Sequence, residues 1–133
     1  MPPGPVEPAG DDGAAAFLRH ADAHLADGDC DRAAAAYAVA LRFDRRNLAA
    51  LAGLGRVHLK TGNFAEARRA LYAARALAPD DGEIAKLLGE FLTRIGKYGR
   101  AAAEFLRAME IEAEEEEADD RAASRAPPPP PSS

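Results

Sequence analysis

The sequence has no tryptophan, a single cysteine at Cys30, and aromatic side chains at only 6% of its positions. One cysteine excludes an internal disulfide framework and a multi-cysteine metal site, and it is compatible with a reducing compartment. Scarce aromatics beside 47% hydrophobic residues and abundant alanine predict a core of small side chains. Such a core suits helices packed closely together. Long apolar runs are also missing: no stretch approaches the roughly 18 apolar residues of a membrane span. The opening MPPGPVEPAGDDG has neither the basic start nor the apolar centre of a secretory signal. The expectation is a soluble, cytoplasmic protein with no membrane insertion.

Catalytic signatures are absent as well. There is no phosphate-binding P-loop, no G-x-G-x-x-G following a strand, no G-x-S-x-G and no H-E-x-x-H. The expectation is no enzyme, no cofactor and no catalytic residue. Nor is there an excess of base. The net charge of −5 belongs to the C-terminal end, where eight acids and two arginines follow from Glu110 onward; residues 1–109 carry a net +1. The body has no electrostatic reason to take nucleic acid as a partner.

What the sequence does contain is a repeat of 34 residues. Gly28, Gly62 and Gly96 stand at that interval. The alanines Ala33, Ala67 and Ala101 follow five residues behind them, then Tyr37, Leu71 and Phe105, then Ala40, Ala74 and Ala108. Upstream, Ala21, Gly55 and Gly89 form a column of small residues, preceded by His20, Leu54 and Leu88. The copies are 14–47, 48–81 and 82–115. Within the middle copy, Leu51, Leu54, Val57 and His58 follow helical spacing, as do Phe64, Ala67, Leu71, Ala74 and Leu77 after Gly62. Gly62 marks a sharp turn between two helices. Asn63 is expected to cap the second, Pro79 to end it, and Asp80 or Asp81 to cap the next. Gly55 and Ala67 allow the paired helices to approach closely.

These columns resemble the tetratricopeptide repeat family. The middle copy, LAALAGLGRVHLKTGNFAEARRALYAARALAPDD, matches its pattern at Leu51, Leu54, Gly55, Ala67, Ala74 and Pro79, and the resemblance covers about 102 residues. The outer copies have Arg45 and Ala113 in place of the closing proline, Ala85 in place of a large residue, and His24 and His58 in a column usually held by tyrosine. The resemblance implies an all-α, right-handed solenoid of three helix–turn–helix pairs. Residues 13–118 are expected to form the domain, between a disordered Pro/Gly/Asp-rich segment, 1–12, and a disordered Ala/Pro-rich tail, 119–133. With no proline at 113, the last helix is expected to run into the acidic segment, to about Ala122, before PPPPPSS stops it.

His20 and His24 stand four apart on one helix, but no third metal ligand accompanies them, so no metal site is expected. His58 reads as a half-buried substitute for tyrosine. Cys30 shares a column with Phe64 and Tyr98 and reads as a small packing residue. The proline run reads as a spacer rather than as a ligand.

The resemblance further implies that the first helix of each pair lines a concave groove that binds a peptide segment of another protein. The matching positions are Ala15, Leu18, Asp22 and Leu25 in the first copy, Ala49, Ala52, Arg56, Leu59 and Lys60 in the second, and Glu83, Lys86, Glu90, Thr93 and Arg94 in the third. Candidate binding residues are Leu18, Asp22, Leu25, Arg56, Leu59, Lys60, Lys86, Glu90 and Arg94. The groove then runs from apolar to mixed charge and suits an acidic or mixed apolar and acidic segment, with the chain's own Glu114–Glu117 as a competitor. The clamp by which some members hold the acidic C-terminus of heat-shock proteins needs Lys, Asn and Arg. Leu18, Asp22, Gly53, Glu83 and Leu87 stand at those positions. The implied function is a non-catalytic adaptor, scaffold or small secretion-type chaperone. The alternative is a homo-oligomer formed through the uncapped third repeat.

Overall fold

The computed structural model describes residues 10–125 and 130–131, the first three of them by backbone alone. Six helices follow one another: α1 Gly10–Ala26, α2 Cys30–Phe43, α3 Leu48–Thr61, α4 Phe64–Leu77, α5 Gly82–Arg94 and α6 Tyr98–Ser124. No described residue is in a strand. Each 34-residue copy is one helix pair, and each pair turns on its repeated glycine. Gly28, Gly62 and Gly96 all have φ near +80°, a conformation open to glycine at little cost.

Local chemistry sets the helix ends. Asp29 accepts a hydrogen bond from the Arg32 backbone N–H, Asn47 from that of Ala50, and Asp81 from those of Glu83 and Ile84. These bonds satisfy donors that the first helical turn leaves free. Asn63 occupies the cap position of α4 but its side chain accepts no such bond, contrary to expectation. Helix α2 stops at Phe43 without a proline: Asp44 turns extended and Asn47 opens α3.

Two terminal expectations are corrected. Residues 10–12 are the first residues of α1 rather than a disordered segment, and α6 continues to Ser124, so residues 119–124 are helical rather than part of a disordered tail. With neither Pro nor Gly after Met109 until Pro127, and good helix formers throughout, nothing ends α6 sooner. Residues 1–9, 126–129 and 132–133 lie outside the described part.

The core is built from the repeat columns. Ala21, Ala33, Ala40, Ala67 and Ala74 are fully buried, as is Leu71. A Cβ added at Gly55 would lie 2.3 Å from Leu71, and one at Gly89 2.7 Å from Phe105. The small-residue column thus lets each first helix press directly on the large side chain of its partner. Repeats join by the same means. The Tyr37 ring of α2 lies over Gly53 of α3, where an added Cβ would stand 2.3 Å from it. In the next interface Leu71 and Leu87 share one cluster instead.

The backbones of successive first helices, α1 with α3 and α3 with α5, approach each other closely, whereas α2, α4 and α6 do not. The first helices therefore line the inner side of the stack and the second helices the outer side. On the outer side Arg75 of α4 pairs with Glu104 of α6, and Arg107 donates to the Pro79 carbonyl at 2.9 Å and to Asp80 at 3.1 Å.

Candidate peptide-binding groove

The inner side is crossed by a strip of polar contacts. The Tyr37 hydroxyl donates to Asp22 of α1. Arg56 of α3 acts electrostatically on Tyr37 and pairs with Glu83 of α5. Burial, with the hydrogen bond to Asp22 and its negative charge, pushes the Tyr37 hydroxyl pKa well up, and the Arg56 charge opposes this. Four side chains from three repeats thus meet in one line. Two carboxylates flank one guanidinium there, so the Arg56 charge is already taken up within the chain.

Beside it, at the C-terminal ends of α3 and α5, lies a concavity of about 390 Å³ lined by Leu59, Glu90, Thr93, Arg94 and Phe105. Leu59 is buried in the floor and belongs to the core cluster. Arg94 is held from both sides: it donates to the Leu59 carbonyl at 3.1 Å, and its guanidinium lies 5.2 Å from the centre of the Phe64 ring. That positions a planar cation whose remaining N–H groups have room for an acceptor. Among the ion pairs of the described residues, Glu90 has none.

The sequence-derived residues therefore fall into groups. Leu59, Glu90 and Arg94 come together around one apolar-floored depression. Asp22 and Arg56 belong to the polar strip. Leu18 and Leu25 are half-buried against the cluster of Ala21, Ala33 and Tyr37. Lys86 pairs with Glu112 of α6, and Lys60 is exposed. Arg56 and Lys86 are thus occupied by acids of this chain.

Sequence reasoning did not anticipate Phe105 as a wall, nor the stacking of Arg94 on Phe64. A signal for the latter was available: Phe64 and Arg94 stand in fixed columns of adjacent copies. Elsewhere, His20 and His24 line a shallow apolar recess with Phe17 and Arg32, where the arginine opposes a cation. No three His, Cys, Asp or Glu residues gather as a metal site among the described residues. His58 is half-buried, and so is Cys30, against the first-repeat core. No described helix is long and apolar enough to cross a membrane.

Three stacked helix pairs, with the first helices inward around a lined depression, define a helical-repeat solenoid. The family model described as tetratricopeptide repeat matches residues 24–91, half of the chain, and the protein belongs to that family. Among solved structures the chain is similar to an O-GlcNAc transferase mutant of Thermobaculum terrenum, with 28% identity and a TM-score of 0.75 over 77% of this chain and 20% of that one. It thus spans a fifth of that protein's length. It is also similar to the second TPR of Spaghetti (RPAP3) bound to the HSP90 peptide SRMEEVD, with 20% identity and a TM-score of 0.71 over 74% of this chain and 92% of that one. No curated protein matches the sequence. The chain is a protein–protein interaction module of the tetratricopeptide type.

Proposed function

We propose that this module is a non-catalytic adaptor that holds a short segment of a partner protein in the depression formed by Leu59, Glu90, Thr93, Arg94 and Phe105. The observation that carries this reading is the pairing of an apolar floor with an arginine held in place above it. A segment that fits presents one large apolar side chain to the floor and a carbonyl or carboxylate to Arg94. Lys60, exposed on the neighbouring helix, favours a segment that becomes acidic on that side. The related structure holding SRMEEVD supports peptide capture as a use of this fold. Asp22 and Glu83 stand where a clamp for such an acidic end has other residues, so this chain is expected not to retain SRMEEVD itself.

Selection from a random peptide library on the purified protein tests the reading. The expected consensus has a large apolar residue next to an acidic or carbonyl-rich position. Glu90→Trp fills the depression and Arg94→Ala removes the cation; each should weaken the selected peptide at least about tenfold, or ~1.4 kcal/mol. Helix content should be unchanged. A peptide that binds both variants as tightly as the parent contradicts the proposal.

A further inference from the structure

We infer that α6 is the contact surface of a homodimer, in which two copies of this chain pair their last helices antiparallel. Equivalent positions of successive repeats differ in what covers them. Leu71 is fully buried in the second repeat, and Phe64 lies beneath Arg94 of the next repeat. Tyr72 meets the edge of the Phe91 ring of that same repeat, at 6.5 Å between ring centres. The residues one period later are Phe105, Tyr98 and Leu106. Among the described residues no later helix pair packs on them, and they stand 37%, 70% and 58% exposed, with Met109 beside them at 64%. The acidic continuation of α6 does not cover them, because it extends as helix rather than folding back.

The apolar area is of the right size. Those four exposures, on side chains of roughly 200 Å² each, leave roughly 450 Å² per copy. A standard interface takes about 800 Å² from each partner, rather more than half of it non-polar. Charge then selects the occupant and its direction. Helical periodicity continues the face of Tyr98, Phe105 and Met109 into Glu116 and Asp120. A two-fold axis beside Phe105 and Leu106 puts Glu116 about 16 Å along the helix on one side and Lys97 about 13 Å on the other. In an antiparallel pair the acids of one copy therefore reach Lys97 of the other. A parallel pair would instead set the two acidic runs side by side. The arrangement is self-complementary, as a two-fold interface requires.

Sedimentation equilibrium of the full chain, from about 1 µM to about 1 mM, tests the inference without any peptide, so its failure is distinguishable from a failure of the groove reading. The mass should rise from 14.0 kDa toward twice that value. Leu106→Glu with Met109→Glu changes only exposed side chains and should hold the protein at the single-chain mass with its circular dichroism unchanged. In a Cys30→Ser background, Leu106→Cys should form a disulfide-linked dimer under mild oxidation, and Glu116→Cys should not. A parent that stays at 14.0 kDa throughout overturns the dimer. A double variant that dimerises like the parent overturns the surface, and linkage through Glu116→Cys as ready as through Leu106→Cys overturns the antiparallel direction.

Discussion

At the scale of single residues, packing is set by matched sizes across columns. Tyr37 opposes Gly53 at the first inter-repeat contact, while Leu71 and Leu87 occupy the same pair of columns at the second. A ring and no side chain fill what two leucines fill. Gly53→Leu should therefore cost about 1–3 kcal/mol by overpacking, a loss larger than the helix propensity it gains. Adding Tyr37→Leu should recover most of it, as coupled neighbours do. Urea unfolding of the two single variants and the double variant measures this. The same tyrosine predicts a pH dependence. Its pKa in the folded state lies above the ordinary value of about 10, so folding holds its proton more tightly. Its contribution to stability is full below pH ~10 and is lost as pH rises beyond that. Tyr37→Phe should flatten the alkaline side of the stability curve, read by urea unfolding at successive pH values. Equal alkaline losses in parent and variant would show that the hydroxyl is not so placed.

At the scale of elements, α6 separates into a packed part and a projecting part. Ala101, Ala108 and Ile111 are buried, and Ile111 lies 3.5 Å from the place a Cβ on Gly82 would take. Every residue from 113 to 125 is exposed. Truncation after Ala118 should leave the thermal midpoint within about 2 °C of the parent, since it removes no core. Ile111→Ala should cost about 2–4 kcal/mol. A large loss on truncation would mean that the acidic segment supports the body. The three helix pairs and their register were legible in the sequence because glycine and alanine columns recur at a fixed period. The extension of α6 into the acidic segment was legible from the missing proline at 113, whereas the domain boundary at 118 fell inside the helix, because charge and composition alone do not end a run of good helix formers. Less legible was which candidate cap makes its bond: Asp81 does and Asn63 does not, a difference of backbone geometry that residue type does not carry.

At the scale of the whole molecule, the stack turns local pairings into one inner surface. The positions lining that surface follow from the repeat, but their occupancy by partners does not. Arg56 and Lys86 read as free cations in sequence, yet Glu83 and Glu112 reach them once the repeats are stacked. Phe105 entered the wall through the third pair's own packing. What remains open to a ligand is the depression between the ends of α3 and α5. Backbone amide shifts of isotopically labelled protein, titrated with the library-selected peptide, test this most directly. The account predicts the largest changes at Leu59, Glu90, Thr93, Arg94 and Phe105. Changes concentrated instead on the outer side, around Arg68, Arg69 and Arg100, would contradict it.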